Sequence, residues 1–364
     1  MKILHVITSL RTGGAEKLMV DLLPLLRNKG NEVDLCVFDG VETPFKRELE
    51  SQGINIISLG TTANVYHLKY LCKLVRLIKT GGYDVVHTHN TAPQLFAAIS
   101  SIICSQVMCT TEHTTSNRRR DWKWYVAIDR WMYSRYKFVI CISEKTEYYL
   151  RSHIGKCHTR ILTIPNGINV AKYRDAEPVN IKQIFPGCRK AIVQVAGFRY
   201  QKDQDTVIRA LSELPDEFHL FLVGDGERRQ ELELLVKSLN LNERVHFMGI
   251  RSDVAKILRG ADIAVMSSHF EGFGLAAVEA MATGMPLLAS DVDGLREVTL
   301  GAGILFPHQD ATSLANKIIE IDSNPDLYAS IADKCSKRAV EYDISTMATA
   351  YYQCYKDTLT NSCK

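Results

Sequence analysis

The run Ser268-His269-Phe270-Glu271-Gly272-Phe273-Gly274-Leu275-Ala276-Ala277-Val278-Glu279-Ala280 sets two carboxylates around two glycines at the entry to an apolar helical stretch. One glutamate precedes the helix and the other falls in about its second turn, so they must do different work. Glu271 can meet the hydroxyls of a sugar, whereas Glu279 can reach a ribose diol. Gly272 and Gly274 admit a ligand close to the backbone, and the unpaired amides of a helix start suit a diphosphate. A second glycine turn, Gly13-Gly14, opens a helix after the first apolar run. The dinucleotide fingerprint GxGxxG is absent there, although Asp39 closes the second run. The glycine pair is either a bare βα turn or an approach to an anion or sugar. His87 and His89 form an HxH pair, and His113 follows the next apolar run. No carboxylate or cysteine stands locally to complete a metal set, so no metal is expected, and His87 and His89 are read as loop histidines shaping the site.

Such residues need rigid elements behind them. Short β-branched runs at 3–7, 32–38, 55–59, 85–87, 107–111, 138–142 and 161–164 alternate with helix-length stretches. After Pro165-Asn166-Gly167 the alternation restarts at 191–196, 218–223, 245–248, 263–266, 286–289 and 304–306. Continuous apolar strands separated by helices predict parallel, doubly wound sheets, here two of them, with ligands outside the carboxyl ends of the strands. The expected division is a Rossmann-like domain over 1–168, a second over 169–342, and a C-terminal helix over 343–364 crossing back to the first, with a cleft between the two sheets.

The chain of 364 residues exceeds the ~250 to 300 at which one hydrophobic core stops growing. Hydrophobic residues at 46% and charged residues at 23% exclude collagenous and disordered classes. The longest apolar stretch, 95–109, is broken by serines and a glutamine, so no membrane span is expected. The opening MKILHVITSL lacks the pattern of a secretory leader, and the 10 cysteines contain no CxxC pair, which together predict reduced thiols and a cytoplasmic setting. Residues 1–170 hold 22 Lys/Arg against 14 Asp/Glu, a net +8, while the remainder is net −5. A polyanionic partner for the first half is one reading and a solvated basic face the other. No aromatic or helix-turn-helix context accompanies the basic residues, so nucleic acid is not expected.

In order along the chain stand GGAE at 13–16, DVVHTH at 84–89, EH at 112–113, PNGI at 165–168, QKD at 201–203, GDGE at 224–227, EGFGLAAVEAMATGMP at 271–286 and GILFP at 303–307. Their order and spacing resemble family 4 of the nucleotide-sugar-dependent glycosyltransferases, over nearly the whole chain. The resemblance implies the GT-B fold, two Rossmann-like domains facing a cleft. It implies sugar transfer, with retention, from a nucleoside diphosphate sugar, UDP-sugar favoured, without a cofactor or an essential divalent ion.

It also implies roles. Lys202 matches the family's diphosphate lysine. The partnering arginine would align with Gly197, and Arg199 stands two residues along. His113 matches the active-site histidine near the donor sugar, so the catalytic set reads His113, Lys202, Arg199 and Glu271. Donor contacts fall on Gly14, Asn166, Arg199, Lys202, Gly249, Ile250, Gly272, Phe273, Gly274, Leu275 and Glu279, with the nucleotide base bordered by the backbone around Gly249. The acceptor side takes Gly13, His89, Arg118 and Arg119. Resembling enzymes build capsular, O-antigen or exopolysaccharide chains on lipid carriers, or glycosylate lipids, so a lipid-linked saccharide or lipid acceptor is expected. An epimerase of the same fold and a non-catalytic sugar-nucleotide-binding protein are the alternatives. Two segments predict peripheral docking on an anionic membrane surface: a helix over 66–79 with Leu68, Leu71, Val75 and Ile78 on one stripe and Lys69, Lys73 and Arg76 on another, and the run 117–124 with Arg118, Arg119, Arg120, Trp122 and Trp124.

Overall fold

The computed structural model describes residues 1–11, 13–61, 64–114 and 125–362. Arg118, Arg119, Arg120, Trp122 and Trp124 lie outside the described residues.

The chain forms two compact units, Met1–Gly167 with Ile344–Lys364, and Ile168–Asp343. The first is built on seven strands: β1 (Lys2–Ser9), β2 (Glu32–Asp39), β3 (Asn55–Gly60), β4 (Val85–His89), β5 (Val107–Glu112), β6 (Phe138–Cys141) and β7 (Arg160–Thr163). They lie in the order β3-β2-β1-β4-β5-β6-β7, and every pairing is parallel. The second unit has six: β8 (Lys190–Val195), β9 (Phe218–Val223), β10 (Val245–Gly249), β11 (Ile263–Met266), β12 (Leu287–Ser290) and β13 (Ile304–Phe306). Their order is β10-β9-β8-β11-β12-β13, again all parallel. The fold class expected from the alternating runs is the one observed. What the runs could not supply is the strand order, which reverses between β1 and β4 in one sheet and between β8 and β11 in the other. Ligands of open α/β sheets bind at these switch points, beyond the carboxyl ends of the strands.

Both faces of the first sheet are covered. Helix Gly14–Asn28 buries Leu18, Met19, Leu22, Leu23 and Leu26, and it packs with the C-terminal helix Ile344–Ser362, whose Met347, Ala348, Tyr351 and Tyr355 join the same core. On the other face, helix Leu68–Thr80 turns Tyr70, Leu74 and Ile78 inward. This corrects the stripe read from sequence: Leu68 is exposed, and Leu71 and Val75 only flank the core. Tyr70 sets the phase, because its ring fits beside Phe38 of β2 at 5.7 Å and covers more apolar surface than a leucine would. Lys73, one of the expected basic stripe, donates to the Leu59 carbonyl at 2.6 Å and is thereby tied to its own sheet edge.

Candidate active site

In the second unit the loops after β8 and β11 meet across the switch point. Gln194, buried in β8, donates from Nε2 to the Lys202 carbonyl and to Ser267 Oγ, both at 3.0 Å. Ser267 Oγ donates to the Asp203 carbonyl at 2.6 Å, and the His269 amide donates to the Gln201 carbonyl at 2.9 Å. So clamped, the two loops place Lys202 Nζ on Glu271 Oε1 as an ion pair, and Ser268 Oγ donates to the same oxygen at 3.0 Å. Lys202 and Glu271, assigned separate tasks from sequence, are therefore partners. Their side chains are only 26% and 12% exposed, so a charge arriving beside them meets little solvent screening.

Glu271 is held from behind as well. Ser290 Oγ donates to the Ser268 carbonyl at 2.6 Å. Gly294, with φ +85°, comes so close that a Cβ there would strike the Glu271 carbonyl. Gln194, Ser267 and Gly294 escaped the sequence reading because nothing local marks a residue whose task is to hold another loop. Past Glu271, Gly274 takes a left-handed φ of +89° and starts helix Leu275–Ala282, with Phe273 buried and Gly272 and Leu275 half-buried. Glu279 sits in the second turn of that helix, only 8% exposed.

Arg199 is exposed, and its stem folds back so that Nε lies 4.0 Å from where a Cβ on Gly197 would stand. The guanidinium thus occupies the neighbourhood of position 197 from two residues away. The loops after β8 and β9 and the end of β10 are also joined: Phe198 donates to the Asp225 carbonyl at 3.0 Å and Gly224 to the Gly249 carbonyl at 2.9 Å. Gly249 has φ +66° and open space where a Cβ would be, and Ile250 is exposed. Beside Lys202, Asp203 caps the next helix from a left-handed φ of +45°, and burial raises its carboxyl pKa. His269 Nδ1 is 3.6 Å from Asp203 Oδ2 and 2.7 Å from His308 Nε2. Two nitrogens on a tetrahedral zinc stand about 3.3 Å apart, so 2.7 Å is hydrogen-bond spacing.

In the first unit the switch point lies between the Gly13-Gly14 turn after β1 and the residues closing β4. Gly13 is the extended cap of helix Gly14–Asn28, and the preceding loop is anchored where Arg11 grips Asp39 at 2.9 and 3.1 Å. His87 and His89 correct the sequence reading: they are strand residues of β4, wholly buried, rather than loop histidines. They share a sheet face with His5, which sits opposite His87 in the β1–β4 register. A histidine inside the apolar run 3–7 was the available signal for His5. His87 bonds Tyr355 OH at 2.5 Å and Thr111 Oγ1 at 2.8 Å. His89 Nδ1 lies 3.0 Å from His113 Nε2. His113 follows β5 and is half-buried, and desolvation lowers its pKa to about 4, so it is neutral at ordinary pH. The adjacent Glu112 is buried and accepts from Tyr133 OH at 2.5 Å, which anchors the strand end. Asn166, also buried, has an Oδ1 with no hydrogen-bond partner among the described residues.

Two family models match consecutive stretches: Glycosyltransferase Family 4 over residues 12–172 and Glycosyl transferases group 1 over residues 178–339. A phosphatidyl-myo-inositol mannosyltransferase of Mycolicibacterium smegmatis is 25% identical over 358 residues, 94% of this chain and 90% of that protein. An Escherichia coli UDP-Gal:alpha-D-GlcNAc-diphosphoundecaprenol alpha-1,3-galactosyltransferase is 24% identical over 345 residues, 88% of each. Among solved structures, Anabaena Alr3699/HepE in complex with UDP-glucose superposes with a TM-score of 0.86, at 23% identity, covering 99% of this chain and 100% of that one.

Proposed function

The chain belongs to the group 1, family 4 glycosyltransferases and has the GT-B fold, and from that premise we propose that it transfers a hexose from a UDP-sugar to a hydroxyl of a lipid-linked saccharide or lipid, with retention of configuration. The observation that carries this reading is the Lys202–Glu271 pair at the β8/β11 switch point, facing the start of helix Leu275–Ala282. When the bond from sugar to diphosphate breaks, negative charge gathers on the phosphate oxygens. Lys202, with Arg199 close by and the free amides at the helix start, supplies fixed positive potential for that charge. Glu271 holds Lys202 in place and presents its second oxygen to a sugar hydroxyl. Glu279, one helical turn deeper, accepts from the ribose diol, and the backbone at Gly249 and Ile250 borders the base. In the first unit His113 is assigned to the transferred sugar and Gly13, Gly14 and Asn166 to its surroundings, while His89, wholly buried, acts only through its bond to His113. The leaving phosphate takes the acceptor proton, so no pair of carboxylates at glycosidase spacing is required.

Support for the donor comes from the neighbour solved with UDP-glucose and from the UDP-galactose enzyme among the relatives. Support for the acceptor comes from the relatives that act on diphosphoundecaprenol and phosphatidylinositol substrates. Among the described residues no helix is long and apolar enough to cross a membrane, and the proposed meeting with a lipid-borne acceptor is at the cytoplasmic bilayer surface. A panel of nucleoside diphosphate sugars tests the reading: a ligand of the native state raises the melting temperature according to RT ln(1 + [L]/Kd). A UDP-sugar should shift it most and then label a lipid-linked saccharide. No shift with any sugar nucleotide would overturn it. Co-sedimentation with anionic rather than neutral vesicles, lost when Arg118, Arg119 and Arg120 become Ser, is expected for the docking step.

A further inference from the structure

His113 has one nitrogen committed inward. Its Nε2 bonds His89 Nδ1 at 3.0 Å, and the other nitrogen of His89 bonds His5 Nδ1, also at 3.0 Å. The series ends in the core, where His5 Nε2 is buried and has no partner among the described residues. His87 stacks on both inner rings, at 5.0 Å from His5 and 4.5 Å from His89, yet it belongs to a separate set of bonds through Tyr355, Thr111 and Tyr351. Desolvation keeps all three members of the series neutral, so each carries a single N–H. The arithmetic of protons then leaves two arrangements. If His113 carries its proton on Nε2, His89 must accept at Nδ1 and carry its own on Nε2, and His5 likewise. If His113 carries it on Nδ1, the same position is protonated on the other two. A mixed assignment would set two lone pairs, or two N–H groups, against each other at 3.0 Å.

We propose that His113, His89 and His5 form one proton wire with a collective tautomer, and that His5, acting through His89, is a positioning residue deciding whether His113 meets the substrate as an N–H donor or as an acceptor. This rests on the transferase reading for its consequence in turnover but not for its chemistry. With Nε2 occupied by His89, Nδ1 is the nitrogen of His113 left for a sugar or acceptor hydroxyl, and its protonation is settled two rings away in the core. Two strands supply the inner rings, β1 and β4, which are neighbours only because the sheet order reverses between them.

Histidine tautomers are read directly from imidazole 15N and 13C shifts of the whole protein. The wire predicts the same tautomer on His5, His89 and His113. His5→Leu should leave His113 in a mixture of tautomers and lower kcat about tenfold, the scale of one lost hydrogen bond, with donor KM unchanged. His5→Asn places an amide atom where Nδ1 stood and should restore both the single tautomer and kcat. A merely structural His5 would change the melting temperature and leave kcat per folded molecule intact. Discordant tautomers in the unmodified protein, or a His113 spectrum and kcat unaffected by His5→Leu, would overturn the wire. Concordant tautomers in a protein that transfers no sugar would overturn the functional reading instead.

Discussion

Lys202 is paired with Glu271, and the proposed roles of the two, cation for a leaving diphosphate and partner of a sugar hydroxyl, separate the residues by what their loss should do. Lys202→Ala removes a cation from a poorly solvated loop junction and should cost on the order of 3 kcal/mol of transition-state stabilisation, roughly a hundredfold in kcat. It also leaves Glu271 with Ser268 as its remaining polar partner among the bonds described above. Glu279→Ala should weaken UDP binding, measured by calorimetry, while Glu271→Ala should lower turnover more than nucleotide affinity. Undiminished UDP affinity in the Glu279 variant would show the ribose assignment to be wrong. Because the positive charge comes from side chains and a helix start, EDTA should leave activity nearly unchanged. Loss in chelator, restored by magnesium or manganese, would contradict that source of charge.

At the scale of elements, the site is made by loops that press on one another. Gly294 and Gly249 both have positive φ, so an alanine at either carries the left-handed penalty of about 1 to 2 kcal/mol. Only at Gly294 would the new Cβ also collide with the Glu271 backbone; at Gly249 the space is open. Gly294→Ala should therefore lower both the melting temperature and kcat, whereas Gly249→Ala, whose Cβ would enter the space assigned to the base, should lower the melting temperature modestly and show its kinetic effect in donor KM rather than in kcat. Equal kinetic effects would mean that the Glu271 loop is not held by that contact. Helix Leu68–Thr80 carries the opposite lesson. Its amphipathic character was plain from sequence, but its phase was misjudged, because counting apolar residues weighted Leu68 and Leu71 equally with Tyr70. Packing on Phe38 favoured the large ring.

For the whole molecule, buried neutral histidines make stability depend on acidity in a definite direction. Burial lowers the pKa of His5 to about 3 and of His113 to about 4, against 6.5 for an exposed histidine, and lowers those of His87 and His89 as well. Below pH 6.5 the unfolded chain binds protons that the folded chain refuses, so stability falls as pH drops from about 6.5 towards 4 and is insensitive to these groups above that window. Each such histidine contributes up to about 1.4 kcal/mol per pH unit. Urea melts between pH 7 and 5 should show this decline, and it should lessen when His87 is replaced by Gln; a flat profile would contradict the neutral cluster. The sequence by itself was enough for the two sheets, the place of nearly every strand, and the segments bearing Lys202, Glu271, Glu279 and His113, since strand runs, glycine turns and helix starts are written in consecutive residues. It could not tell that β1 adjoins β4 or β8 adjoins β11, that Lys202 pairs with Glu271, that Gln194 and Gly294 brace them, or that His5 lies two rings from His113. Those facts depend on residues 69 to 84 positions apart in the ion pair and the His5–His89 bond. Such meetings are decided by how strands order and side chains pack, and no local pattern encodes them.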